Sequence, residues 1–593
     1  MSLSPDSAPP AAQQQQQDYS RWSNSSLIAR ITELERQLNS YNAGTVLSTA
    51  AAAQPTSNHT SRASSPSGRQ RKKKLKKIDP SKYNTRFIAL KFAYLGARYN
   101  GLEHTNGNLT PLPTIEEVLW RALRKARLIF PEWPECEDEV GEDGRNILQP
   151  YSLDWTGCEY SKCGRTDRGV SAFGQVVGIR VRSTQPKYAA QKKDTSMSPS
   201  TGADEASMVA PLGELAISDP EQFEEEEKWD DIRDELPYIQ ILNNILPEDI
   251  RVLAWCPHPP PGFNSRFSCR QRRYRYFFTQ PAFSPTPDPR GPVRSEDGRP
   301  RQGWLDIEAM REGARNYMGV HDFRNFCKID PSKQILNYKR EIFHADIEIL
   351  DPKSSPMGYV GEPEFWNPDA KENNENLSSA NSSPVQTYSF TLHGSAFLWH
   401  QVRHMVAILF LIGQGLESPS IVKELLDVTK NPRKPIYEMA SDAPLVLWDC
   451  VFPDESSDSR EDAIDWIYAG DPRIAKSSLS RGTGKFGHGG IVEDLWSVWR
   501  QRKIDEILAA TLLDRVVGQG DRSAFLDTNP DVSRHNLKVF FGGIEARFGG
   551  KYIPVMQRRR LETVDVINAK YRAKPGKQKG RFNGAARDSG ADD

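Results

Sequence analysis

Ile88, Leu90 and Phe92 are separated by Ala89 and Lys91, a period of two that predicts a strand. From Thr114 the period changes. Ile115, Val118, Leu119, Ala122, Leu123 and Ala126 fall three or four apart, and Thr114 with Glu117 makes a capping box, so a helix is predicted. Val177, Ile179 and Val181 then alternate with Gly178, Arg180 and Arg182 in a second, half-buried strand. Tyr274, Tyr276 and Phe278 share one face of a third, by pattern alone a row of core aromatics. Phe343, Ala345, Ile347 and Ile349 supply a fourth strand, and Tyr388, Phe390 and Leu392 a fifth. Helices are predicted near 305–318 and 397–413, with an amphipathic helix near 492–512. Strands and helices interleaved in this order predict an α+β body that begins near Tyr83.

Long stretches fall outside that pattern. Residues 1–80 are Gln-, Ser- and Ala-rich and cannot bury enough to fold, save a short amphipathic helix at 26–39 with Leu27, Ile31, Leu34 and Leu38 on one seam. The run at 69–77, RQRKKKLKK, has seven basic residues in nine, a density that suits phosphate attraction or nuclear import. Segments 184–235 and 351–386 are rich in Ser, Asn, Pro or acid and read as disordered insertions in loops. The zero formal net charge hides an asymmetry. Residues 184–235 hold 14 acidic and 5 basic residues, a net of −9, which leaves a basic body at +9. No apolar run approaches the roughly 20 residues that a spanning helix needs. Seven Cys without paired metal spacing or a secretory signal read as free thiols in a reducing compartment.

The densest chemistry lies at 163–176, CGRTDRGVSAFGQV. It places Asp167 between Arg165 and Arg168 on a glycine-bounded turn, anchored by the strand that follows. A carboxylate beside cations resists protonation, and each Arg keeps donors for a phosphate or a base edge. Arg403 is unusual for another reason. It shares a helix with Val402, Met405, Val406, Ile408 and Leu409, where a buried cation requires a carboxylate partner. Two further patterns carry no chemistry. His400 and His404 are one turn apart, but Gln401 stands where a zinc protease has its Glu, and RGTGKFGHGG (481–490) lacks the phosphate-loop frame.

The string 163–176 resembles the catalytic signature of the TruA family of tRNA pseudouridine synthases, in which GRTD-x-GV-x-A carries the essential aspartate. Three further segments match in the family's order. FNSRFSCRQRRYRYFF (263–278) places the R-x-Y tyrosine at Tyr274. SAFLWHQVRHMVAILFLIG supplies Phe397, Val402 and Arg403, with Gln401 where the pattern has Met, and APLVLWDCVF (443–452) resembles the closing strand. The resemblance runs from about Tyr83 to Phe452. It implies two similar α+β halves, 83–262 and 263–452, around an antiparallel sheet with a central basic RNA-binding cleft, followed by a C-terminal extension at 453–593 with a basic tail.

The same resemblance implies the roles. Asp167 is the catalytic carboxylate, Tyr274 covers the uracil and assists proton removal from C5, and Arg403 pairs with Asp167. Arg165 fills the space of a flipped base, and Thr166, Arg168, Arg273 and Arg275 join it in binding substrate. No cofactor or metal is expected. The 316–330 segment, NYMGVHDFRNFCKID, and the catalytic string are most similar to the eukaryotic branch that modifies uridines 38 and 39 of the tRNA anticodon arm. Alternatives are the sister branch that acts at other tRNA positions or on small nuclear RNA, and an inactive tRNA-binding or folding protein. The expected partner is tRNA, without a membrane; bacterial members dimerise, so a homodimer is an expectation, and the compartments expected are nucleus and cytoplasm.

Overall fold

A strand becomes possible at Asn84 because the β-branched and aromatic positions that follow can be buried on both faces. In the computed structural model, which describes residues 30, 79–108, 110–131, 152–186, 229–285, 300, 303–350, 385–454, 460–474, 485–520, 537–549 and 552–574, this strand is β1, Asn84–Tyr94. The chain divides into two units, one of residues 1–78, 105–114 and 133–153, the other of 79–104, 115–132 and 154–593. In the first unit the Leu153 N–H donates to Asn106 Oδ1 at 3.1 Å. The sheet and the candidate site belong to the second.

After β1 come α1 (Ile115–Lys125), β2 (Ser161–Lys162), β3 (Ser171–Ser183), α2 (Tyr238–Asn243), β4 (Ile250–Cys256) and β5 (Gln271–Gln280). They are followed by α3 (Ile307–Arg315), β6 (Gly319–Asp322), β7 (Lys339–Ile349), β8 (Gln386–Gly394), α4 (Gln401–Gly413), α5 (Ile421–Leu426), β9 (Leu445–Val451) and β10 (Ile467–Tyr468). Farther on lie α6 (Ile491–Gly518), the hairpin strands β11 (Leu537–Val539) and β12 (Arg547–Gly549), and α7 (Val564–Arg572). The first ten strands make one sheet, β10-β4-β1-β3-β9-β5-β8-β7-β6, with β2 on β3. Every pair is antiparallel except β3 with β9, where Ser171 faces Val446 and Ala172 faces Leu447.

The two halves are thus joined along one sheet, and β9 lies at the join. The segment that resembles a closing strand is last in its half by chain order but central in space, between β3 and β5. Central position explains a departure from the alternation. Gln175, Val176, Val177, Gly178 and Ile179 are all buried, so this part of β3 is covered on both faces and is not half-buried. In β7 the register shifts between Ile342 and His344, which turns Ile342 inward and leaves Phe343 off the core face. On β5 the expected aromatic row holds: Tyr274, Tyr276 and Phe278 are buried and the residues between them are less so.

Helix α4 is buried along its whole length, against Tyr276 and Phe278 of the sheet and against α3, which is why its sequence from Met405 to Ile412 is apolar all round. Several sequence boundaries move. The segment 184–235 is not wholly an insertion. Glu235 is buried, accepts from Ser183 Oγ at 2.6 Å and pairs with Arg86 at 3.1 Å, so both edges of the segment belong to the body; residues 187–228 lie outside the described residues. At 351–386 the last residue opens β8, and 351–384 lie outside. The N-terminal helix at 26–39, except helical Arg30, and the run at 69–77 also lie outside the described residues, as does the tail beyond 574. The extension after Phe452 contributes to the fold. β10 pairs with β4, and Phe540, buried between Phe283 and Phe410, exchanges two hydrogen bonds with Gln414. The predicted helix at 492–512 is observed as the longer α6; none of its side chains is buried, and most of its apolar ones are exposed. No described helix is long and apolar enough to cross a membrane.

Candidate active site

Asp167 stands on the loop between β2 and β3, and the loop is held from three sides. Gln175, fully buried on β3, accepts from the Gly164 N–H at 3.2 Å and donates to the Gly164 carbonyl at 2.8 Å. Thr166 is buried with its hydroxyl 2.7 Å from the Tyr94 hydroxyl of β1, and its carbonyl accepts from the Leu102 N–H. Thr166, expected to bind substrate, therefore positions the loop. Two glycines permit the close approach: Gly101, at φ +83°, has no room for a Cβ against the Thr166 carbonyl, and Gly169, at φ +81°, has none against Asp442. The Val170 N–H donates to the Asp167 carbonyl at 3.1 Å and closes the turn.

The carboxylate is not neutralised by its neighbours in sequence. Arg165 turns away to Glu103, Nε to Oε2 at 2.9 Å, and Arg168 is exposed. The side chains that meet Asp167 come from the other half. Arg403 Nη1 lies 3.8 Å from Asp167 Oδ2, as the family pattern implies, while its Nε donates to the Ala440 carbonyl at 2.8 Å and fixes its direction. His400 was not expected there. Its Nε2 lies 3.4 Å from the same oxygen, and the imidazole is largely buried. Trp399 packs on the His400 ring at 4.8 Å and adds to the field at the carboxylate. Burial by itself would raise the Asp167 pKa. His400, Arg403 and Trp399 outweigh it, holding the group below the ordinary carboxylate value and ionised.

His400 reaches Asp167 because of its backbone. It caps the N-terminus of α4 at φ 60°, ψ 11°, the left-handed region that a non-glycine residue enters only at a cost of about 1–2 kcal/mol. In a regular helix His400 and His404 would share a face. Here they part: His400 faces Asp167, and His404 Nε2 meets the Lys434 ammonium at 2.9 Å in the core, where burial pushes its pKa down to about 3. A left-handed residue has no signature in the local pattern, and the spacing drew attention to a metal instead.

Tyr274 is buried on β5, its ring edge-on to Phe397 at 5.0 Å. Burial first, and then the nearby Cys450 and Asp167, keep its hydroxyl protonated far above the ordinary tyrosine range. The neighbouring Arg273 and Arg275 point to the opposite face of the sheet, as alternation requires, and Arg275 stacks on Trp448 at 4.1 Å. The structure therefore brings Asp167, Arg403 and His400 together, with Tyr274 in the same field, and leaves Arg273 and Arg275 outside that cluster. Tyr274→Phe should slow turnover roughly tenfold to a hundredfold with tRNA affinity unchanged, because stacking survives and one proton-transfer group is lost. Loss of tRNA binding in a filter assay would instead mark the ring as structural.

The chain is similar to known proteins along most of its length. A family model described as tRNA pseudouridine synthase matches residues 314–453, which include Arg403 and His400. A tRNA pseudouridine(38/39) synthase of Saccharomyces cerevisiae is 34% identical over 562 residues, 94% of this chain and 92% of that protein. The human protein of the same name is 36% identical over 394 residues, 66% of this chain, and the match spans only 59% of the human protein. A tRNA pseudouridine synthase A of Delftia acidovorans is 28% identical over 243 residues, 39% of this chain and 74% of that protein. With a relative matched along nearly its whole length, and with the signature aspartate of 163–176 held ionised against an arginine from the matched segment, this chain belongs to the TruA family of tRNA pseudouridine synthases.

Proposed function

We propose that the protein isomerises uridine to pseudouridine at positions 38 and 39 of tRNA, with Asp167 as the catalytic carboxylate and no cofactor. The observation that carries the reading is the ionised Asp167 on a loop fixed by one half of the sheet and aimed by Arg403 and His400 from the other. The positions come from the names of the yeast and mammalian relatives. The reaction breaks the bond between N1 and C1′, turns the uracil, joins C5 to C1′, moves a proton from C5 and leaves one on N1. Atoms and charge balance without a donor or an oxidant.

Asp167 serves either route to bond cleavage, by adding to C1′ or by taking the C2′ proton, and both need it as the anion. Tyr274 is a neutral phenol, so it assists removal of the C5 proton as a relay that gives up its own proton as it takes one. Arg165, half-exposed and tethered to Glu103, is placed to stack where the extruded base has left. Homodimerisation, which the bacterial members suggest, and residence in nucleus and cytoplasm, which the 69–77 run suits, are parts of the same proposal.

The test uses purified protein and full-length tRNA transcripts with a single uridine at 38, at 39 or in a stem, beside minimal anticodon arms. A base at a stem–loop junction costs less to extrude than one inside a continuous stem. Conversion is expected at 38 and 39 in arms of differing sequence, and not in the minimal arms, which lack distant phosphates for the basic body. Conversion in the stem alone would move the protein to the sister branch, and full activity on a minimal arm would overturn the need for distant contacts.

A further inference from the structure

Three of the seven cysteines, far apart in the chain and without any metal-like spacing, converge where the two halves join. Cys163 lies on the loop that leads to Asp167, Cys269 just before β5, and Cys450 near the end of β9. Their Sγ atoms all lie within 4.8 Å of one another, and the three residues are 3, 5 and 0% exposed. Three sulfurs bound to one ion at about 2.3 Å would stand about 4 Å apart, so small side-chain adjustments close the set. No His, Asp or Glu among the described residues joins the group at that distance.

The charge around the trio supplies an independent observation. Arg272 on β5, paired in register with Cys450, reaches back over the cluster. Its guanidinium donates to the carbonyls of Ser395, Cys163 and Arg266, at 2.9, 3.0 and 3.0 Å, and pairs with no carboxylate among the described residues. A cation half-buried against neutral carbonyls alone carries a desolvation cost that a nearby anion would offset.

We propose that Cys163, Cys269 and Cys450 form a three-coordinate tris-thiolate site for one thiophilic closed-shell cation, zinc(II) or copper(I). Soft thiolates select such ions, and burial of the trio leaves a three-ligand set. Binding expels the three thiol protons to solvent and changes no oxidation state. The resulting anion, net −1 with zinc or −2 with copper(I), is offset by Arg272. The ion ties the root of the catalytic loop to β5 and β9, and so supports the strand that carries Tyr274. It takes no part in the isomerisation.

The experiment loads the full-length chain, kept reduced and free of oxygen, with zinc(II) or copper(I) in separate arms, followed by desalting. One equivalent per chain should be retained, with a shell of about three sulfurs at about 2.3 Å by X-ray absorption. Alkylation mapping should show Cys163, Cys269 and Cys450 protected by the ion and the other four cysteines unaffected. Retention in Cys269→Ser should fall at least tenfold, and the melting temperature of the loaded wild type should rise by about 5 °C or more. The zinc and copper arms distinguish the ions by which one survives desalting. No retained ion, a shell dominated by nitrogen or oxygen, or a disulfide within the trio in place of metal uptake would overturn the proposal. The absorption and alkylation measurements use wild-type protein, so a folding defect in the variant leaves the test intact.

Discussion

Asp167→Asn should abolish pseudouridine formation, by roughly 10⁴-fold or more, while tRNA binding stays within a few-fold of wild type. The amide keeps the shape of the carboxylate, so the loop anchored by Gln175, Thr166 and Gly101 has no reason to move. What it loses is the anion. Neither addition to C1′ nor removal of the C2′ proton can be performed by a neutral amide. Binding should survive because tRNA is held mainly through its backbone by the basic body. The measurement is single-turnover conversion under saturating enzyme, with affinity from a parallel binding assay. Substantial residual turnover would sink the assignment of Asp167.

Arg403→Gln should lower kcat/KM by roughly two to three orders of magnitude, and the loss should depend on pH. In the wild type, Asp167 is held below the ordinary value of 3.8, so it is ionised throughout the range in which the enzyme is assayed. Activity that needs the anion falls only as pH drops through that depressed pKa. Removing the guanidinium leaves burial, which acts the other way, opposed by His400 and Trp399 alone. The folded-state pKa must then rise, and the acid limb of the rate profile should move up towards the measurable range. His400→Asn should move it in the same direction by at least as much, because His400 is the larger of the two influences holding the carboxyl down. A large activity loss in Arg403→Gln with an unmoved acid limb would mean that Arg403 holds tRNA and does not poise Asp167. Because Arg403 also bonds the Ala440 carbonyl, thermal melting should accompany the profile. A lower melting temperature alone would not shift the limb.

The sequence alone determined what depends on local pattern. The strands at 84–94 and 171–183, the helices at 115–125 and 401–413, the aromatic row of β5 and the catalytic string could be read because period, capping residues and a contiguous motif are properties of neighbours in the chain. The Arg403–Asp167 pairing was legible only through family resemblance; a helical pattern shows that a buried arginine needs a partner but not which carboxylate it meets. Other features were decided by tertiary structure. Arg165 and Arg168 adjoin Asp167 in sequence, yet the turn sends one to Glu103 and leaves the other exposed. His400 reaches the carboxylate through a left-handed backbone that surrounding packing must sustain. Arg273 and Arg275 are separated from Tyr274 by the alternation of a strand, and β9 becomes central only because a parallel pairing with β3 joins the halves. Cys163, Cys269 and Cys450 meet for the same reason. Residues more than a hundred positions apart are brought within bonding range by sheet register, which sums long-range hydrogen bonds and burial that no local window of sequence contains.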